Sequence, residues 1–399
     1  MARTRKTLPA KVDVAHLISA GVLASVCPRS LIEEVLSKTG KASQRERSLP
    51  APAVVYYVMA LALWREAPLE EVLRVVCEGL LWLCTSQSGA GQASMSSSSP
   101  ARTRLGCEVM HQLADRVLKP LAAPGSPGAW YRGFRVMALD GSCMDVADEA
   151  ANAAFFGYAG VSRGQSAFPQ ARLLGLVECG THAVVGACIA PYRRSEQAMA
   201  AELLPAKLSK DMLVLADRNF YGFKLWQTAC ASGASLVWRV KANLKLEVQQ
   251  MLPDGSYLSC VFDSADKTRS APVVVRVIDY TLKNSATPIS DNYRLLTNIL
   301  DAQAAPALEL AGLYHERWEI EGVFDEFKTH LRANSTVLRS KTPELVQQEL
   351  WGLLLAHFAI RQLMVQAAGA RAVDPDRLSF THALRVIKRK MPQAAAVPP

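Results

Sequence analysis

The sequence predicts an α+β protein with helical ends and a strand-rich middle, and three observations carry that prediction. Residues 14 to 84 repeat apolar side chains at three- and four-residue intervals, the period of buried helices. From about residue 134 short runs rich in Val, Ile and Leu alternate with Gly and polar turns. After Pro343 the helical period returns.

In the first part, VAHLISAGVL, RSLIEEVL, AVVYYVMALALW and LEEVLRVVCEGLLWL are predicted helices, several of them separated by Pro or Gly. The low-complexity stretch SQSGAGQASMSSSSP reads as a loop. Ser99-Pro100 then opens a predicted helix, ARTRLGCEVMHQLADRVLKPL, with Arg102 and Arg104 in its first turns. Helix, polar turn and an Arg-opened helix are compatible with a helix-turn-helix reading DNA. A solvated helix start has the same composition.

In the middle, FRVMALDGSCMDV, ARLLGLVECG and HAVVGACIAPY are predicted strands, with turns at Gly164 and at Gly180-Thr181. SEQAMAAELLPAKL follows as helix, DMLVLADRNF as strand, YGFKLWQTACA as helix and SLVWRVKA as strand. Three strands followed by strands reached through helices suit an antiparallel sheet that gains parallel members by crossovers. LKLEVQQML, SYLSCVF, APVVVRVIDYTL and NYRLLTNIL add four strand-like segments, with a hairpin signal at Pro253-Asp254-Gly255. Asp140 is expected to end the first strand and Asp217 the fourth. There an Asp stands exposed above the sheet, or caps the next turn.

Residues 308 to 332, LELAGLYHERWEIEGVFDEFKTHLR, are predicted as one helix. At about 100° per residue, Tyr314, Arg317, Glu321 and Lys328 fall in a stripe about 60° wide. Leu310, Leu313, Ile320, Val323, Phe324, Phe327 and Leu331 form an apolar face beside it. A carboxylate flanked by Tyr, Arg and Lys suits a polyanion held on a metal. A solvated face with ordinary ion pairs would show the same periodicity.

The spacing Y-x2-R-x3-E-x6-K resembles the signature of the family-four insertion-sequence transposases, bacterial enzymes of the DDE group. D-G-S at Asp140 and D-R-N-F-Y-G at Asp217 resemble the contexts of that group's first two acids. The similarity extends through SLPAPAVVYYVMALALWREAPLEEVL, SRGQSAFPQARLLGLVECGTHAVVGA and LRSKTPELVQQELWGLLLAHFAIRQLM, nearly the whole chain. It implies a ribonuclease-H-like catalytic core over 130–240 and 305–345 and a β-rich insertion over 241–304. An all-helical DNA-end-binding domain over 1–125 would precede them, and a basic helical region over 346–399 would follow.

The resemblance further implies that Asp140, Asp217 and Glu321 are catalytic and hold two Mg²⁺ ions, for which Mn²⁺ can substitute. Arg317, Lys328 and Tyr314 would contact phosphates; on the helix-turn-helix reading of their own segment, Arg102 and Arg104 are the candidates for the terminal repeat. Tyr293 stands where a hairpin-forming relative stacks a Trp on a flipped base, and Tyr in that place leaves the hairpin route open. The implied partners are double-stranded DNA, as terminal inverted repeats and target, and a second copy of the chain on that DNA. The implied activity is strand cleavage and strand transfer. A ribonuclease-H-like nuclease without strand transfer and a domesticated DNA-binding relative are the alternatives.

Charge agrees with a nucleic-acid partner. The net charge is +9. Residues 1–50 carry nine Lys/Arg against four Asp/Glu and residues 331–399 ten against four, so basic ends flank a middle of net charge −2. The nine Cys form no C-x-x-C pair, which argues against zinc and for reduced thiols. The N-terminus has no apolar signal core, and the uncharged apolar run from Ser48 to Trp64 contains two prolines and is short for a membrane span. A cytoplasmic protein without a membrane segment is expected.

Overall fold

The computed structural model describes residues 20–43, 49–79, 95–161, 164–283, 290–331 and 337–390. Its first part is helical: α1 (Ala20–Val26), α2 (Arg29–Lys38), α3 (Ala51–Leu63), α4 (Leu69–Gly79), α5 (Met95–Leu105) and α6 (Cys107–Val117). Pro28 and Pro50 stand in extended backbone at the N-caps of α2 and α3, where the missing N–H costs nothing. From Ala53 to Leu63, α3 is buried all round, as expected of a helix with no polar face.

The helix predicted to start at Ser99-Pro100 is differently built. α5 begins at Met95, so the end of the predicted low-complexity loop is helical, and Arg102 and Arg104 sit in its last turn. Gly106, at φ 76°, then breaks the chain before α6. Only a residue tolerant of the left-handed region can make that break. The N-terminal parts of the first predicted helix and of the loop lie outside the described residues, as do 80–83 and the final segment 391–399.

The strands are β1 (Trp130–Tyr131), β2 (Phe134–Val146), β3 (Tyr158–Val161), β4 (Gly164–Glu178), β5 (Ala183–Pro191), β6 (Met212–Ala216), β7 (Ser235–Arg239), β8 (Gln250–Met251), β9 (Tyr257–Val261), β10 (Val273–Lys283), β11 (Ser290–Thr297) and β12 (Val337–Leu338). Helix α7 (Ala150–Phe156) lies between β2 and β3, α8 (Glu196–Lys207) links β5 to β6, and α9 (Phe223–Ala231) links β6 to β7. β2, β4 and β5 form an antiparallel meander, and β6 then β7 add parallel to β2 through the helical crossovers. This is the ribonuclease-H-like arrangement.

The sheet does not stop at β7. β11 pairs antiparallel with it and carries β10, β9 and β8 outward, so the insertion extends the central sheet. LKLEVQQML contributes only the two residues of β8; Leu244 and Leu246 pack on the core beside α8 and α9, but most of the segment is exposed. The Pro253-Asp254-Gly255 turn forms as predicted, with Leu252 N–H donating to Ser256 O at 2.8 Å.

Alternation along β2 sends its side chains to two different cores. Met137 and Leu139 pack with α8 and α9. Val136, Ala138, Met144 and Val146 face the larger cluster. That cluster is threaded by α12 (Pro343–Gly369), whose 27 residues would by length and composition cross a membrane. Here α12 is instead largely covered by protein, packing against α1, α3 and α6. The tail closes with α13 (Phe380–Lys390), which buries Phe380, Leu384 and Ile387 at helical spacing.

Candidate catalytic centre

The parallel pairing of β2 and β6 creates the site. In register Leu139 faces Ala216, the last residue of β6. The next residue on each chain is an acid, Asp140 on β2 and Asp217 in the turn. Neighbouring strands lie about 4.8 Å apart, so the two carboxylates start from adjacent points. Asp217 leaves its strand as predicted, its Oδ1 accepting from Asn219 N–H at 2.7 Å. Asp140 does not end its strand, since β2 runs on to Val146. What ends is the partner. β12 joins β2 only at Asp145 and Val146, so this edge of β2 is open beside Asp140.

The helix predicted over 308–332 crosses that opening in four pieces: α10 (Ala307–Tyr314), a 3₁₀ turn (His315–Trp318), α11 (Glu319–Asp325) and a π turn (Glu326–His330). Changes of winding shift the angular positions, and the uniform stripe is not kept. Tyr314 is 2% exposed, whereas Glu321 and Lys328 are exposed. The expected phosphate contact of Tyr314 is therefore corrected: its ring is buried edge-on to Tyr293 and His315, and burial pushes its hydroxyl pKa up.

Arg317 is the hub. Its Nη1 donates to Asp140 Oδ2 at 2.8 Å, and its Nη2 lies 3.7 Å from Glu321 Oε1. Burial works against its charge, but Tyr314, Asp140 and Asp217 outweigh that and raise its pKa. Burial pushes the Asp140 carboxyl up to about 6, opposed by the Gly141 N–H and Arg317 and reinforced by the Asp217 and Glu196 charges. Asp140 and Glu321 thus meet at one guanidinium and the Asp217 charge acts on it, but the oxygens of the three acids do not all lie within 4.8 Å of one another. The chemistry of this oxygen-only donor set, carried on three elements, suits a hard divalent cation. Lys328 stands in the π turn, and its charge reaches Cys143 on β2.

The remaining expected contacts divide. Tyr293 on β11 stacks on Tyr280, with centroids 5.1 Å apart, and carries the Arg239 guanidinium 3.9 Å from its ring centre. Arg102 is corrected: it is 7% exposed and bound to Gln348, Ser340 and Leu345, so it has no free face for DNA. Arg104 is exposed. Eight cysteines are described, all free thiols.

Two features near the site escaped sequence reasoning. Arg239, which ends β7 in W-R-V-K, carries no motif of its own. Glu196 at the start of α8 lies directly against Gly141 and pairs with Arg172 at 3.1 Å. Behind α11, His182, Glu319 and Asp376 form a compact group. Arg361 already supplies its positive charge, donating to His182 Nδ1 at 2.6 Å. Burial and a hydrogen bond with Glu316 push the Glu319 carboxyl up to about 9, opposed by the Gly180 N–H.

Residues 131–359 match the transposase DDE domain, and with the geometry above this defines the class: a divalent-metal-dependent DDE transposase. Residues 17–115 match the insertion element 4 transposase N-terminal region. The chain belongs to the insertion element 4 family of DDE transposases. It is 27% identical over 372 residues to transposase InsG for insertion sequence element IS4 of Escherichia coli (strain K12), covering 90% of this chain and 80% of that one. Among solved structures, the piggyBac transposase synaptic complex with hairpin DNA aligns at a TM-score of 0.48 and 11% identity, covering 97% of this chain and 84% of that one.

Proposed function

We propose that this transposase binds the terminal inverted repeats of a bacterial insertion sequence, cleaves at their ends and joins the freed strands to target DNA, acting in the cytoplasm as a homodimer on double-stranded DNA. The observation that carries this reading is Arg317 held between Asp140 and Glu321, residues far apart in sequence. Asp140, Asp217 and Glu321 would hold Mg²⁺, two ions in the full site, with Mn²⁺ as substitute. Bound metal supplies Lewis-acid activation of the attacking oxygen and stabilisation of the leaving one.

The protein's own groups do the rest. Arg317 and Lys328 neutralise phosphate oxygens beside the break, while Tyr314 acts from within by fixing the Arg317 guanidinium. Tyr293, backed by Tyr280 and Arg239, offers an aromatic wall near the cut strand. The region 130–240 with 305–345 serves as the catalytic core, extended by 241–304. The helical region 1–125 grips the element end, using Arg104 but not Arg102, and the basic region 346–399 adds backbone contacts.

The test is cleavage of terminal-repeat DNA with Mg²⁺. Wild-type protein should nick and join strands, and Asp140→Ala, Asp217→Ala and Glu321→Ala should each abolish cleavage while retaining end binding. Normal cleavage by any one of them removes that residue from the ligand set. Cleavage without a joined product would favour a nuclease that lacks strand transfer.

A further inference from the structure

Arg317 is placed where a cation belongs. Its side chain is 9% exposed, and its guanidinium lies 2.8 Å from Asp140 Oδ2 and 3.7 Å from Glu321 Oε1, two of the oxygens assigned above to metal. Asp140 spends its other oxygen on the Gly141 N–H at 2.8 Å, so Oδ2 is the one left to face a ligand, and Arg317 occupies it. Yet Arg317 is not saturated: its Nε is buried without a hydrogen-bond partner. A guanidinium presents five donors in a planar fork and binds phosphate as readily as carboxylate. Beside it the Trp318 ring, 53% exposed and 5.2 Å from the guanidinium carbon, gives the same group a second surface to rest on.

We propose that Arg317 and the divalent cation compete for Asp140, and that a DNA phosphodiester resolves the competition by drawing the guanidinium away. Without DNA, Arg317 screens Asp140 and Glu321 from one another and lowers metal affinity. With a backbone phosphate at the cut, Arg317 turns its fork to the phosphate and releases Oδ2. DNA and metal then bind with positive coupling, which is reciprocal by linkage. This arrangement confines a fully loaded centre to protein that already holds its substrate strand. It rests on the ligand set proposed above.

The test is Mn²⁺ binding to the full chain, by titration calorimetry and by loss of the free-ion electron paramagnetic resonance signal, with and without an uncleavable phosphorothioate terminal-repeat duplex. In the wild type the duplex should tighten Mn²⁺ binding by about tenfold, the scale of one charge-assisted hydrogen bond. Arg317→Ala should bind Mn²⁺ about tenfold more tightly without DNA and lose most of the coupling. Arg317→Gln, which keeps most of the side-chain volume, should behave alike and guards against misfolding in the first variant. Unchanged Mn²⁺ affinity in both variants, or coupling that survives in them, overturns the exchange. Asp140→Ala separates that failure from failure of the site itself: if Mn²⁺ binding is as tight without Asp140, the ligand assignment falls, whatever Arg317 does.

Discussion

Arg102 on α5 donates from Nε to Gln348 Oε1 on α12 at 2.8 Å, and Gln348 returns Nε2 donations to Arg102 O and Gly106 O, each at 3.0 Å. Two residues 246 positions apart thereby close the break between α5 and α6 against the central helix. The same guanidinium holds Ser340 Oγ and Leu345 O, both at 3.0 Å. Arg102→Ala should cost about 3 kcal/mol, because buried acceptors lose charged donors. Arg104→Ala should stay within about 0.5 kcal/mol. Thermal melts of the two variants check this, and equal melting temperatures would remove the strut.

The crossing of α3 and α12 gives a sharper case, at Gly352. A Cβ there would lie 2.7 Å from Val58 Cγ1 and 2.8 Å from Val58 O. Alanine in a helix interior gains about 1 kcal/mol over glycine, so propensity alone favours the change. Overpacking against a backbone oxygen costs about 1–3 kcal/mol and should win. Gly352→Ala should therefore melt below wild type, while Gly369→Ala, with open space at its Cβ, should not.

These two positions show what the residues could and could not reveal in advance. The order of β2, β4, β5, α8, β6, α9 and β7 was readable because alternation and turn residues are local properties, and the acids at Asp140 and Asp217 lay in distinctive text; the short α7 and β3 between β2 and β4 were missed. The burial of Arg102 was not readable, since its partners come from α12. The interior position of Tyr314 was hidden for another reason: a 3₁₀ turn and a π turn displaced the uniform winding on which the stripe was drawn. β8 and the fusion of the insertion with the central sheet depended on pairing between β7 and β11, which no single segment announces.

Salt dependence should report on α13. Arg385 and Arg389 are exposed on one side of it, opposite buried Phe380, Leu384 and Ile387. If both meet phosphates, the double substitution by Ala should reduce the slope of log K against log salt by about 2. Duplex binding over a salt series measures it, and an unchanged slope would assign the helix to protein contacts instead.

Acid should loosen the link between α12 and the π turn after α11. Burial raises the Glu326 pKa, but the neighbouring His182, the hydrogen bond with His357 and the charges of His357 and Arg361 override it and hold the carboxyl well below the usual range. His357 Nε2 lies 2.7 Å from Glu326 Oε2, and Arg361 Nε donates to the same oxygen at 3.0 Å. A depressed folded-state pKa contributes stability above the unfolded value, about 4.3, and loses it as pH falls toward the folded one. Glu326→Gln should accordingly destabilise most at pH 6–7, with the gap to wild type closing below about pH 4. Melts across that range decide it.

The last expectation concerns Gly141, which lies beside Asp140 and under Glu196. A Cβ at 141 would overlap the Glu196 carboxyl, whereas the strand backbone itself is compatible with alanine. The obstacle is the end of a flexible side chain, so Gly141→Ala should fold with Glu196 pushed off Arg172. That frees a partly buried arginine whose Nε already lacks a partner, and it adds the displaced charge to the surroundings of Asp140. Glu196→Ala removes the obstacle and should restore room for the methyl group. A double-mutant cycle on melting temperature should then show favourable coupling of about 0.5–3 kcal/mol between the two substitutions. Additive losses would mean that Gly141 is required for its backbone alone.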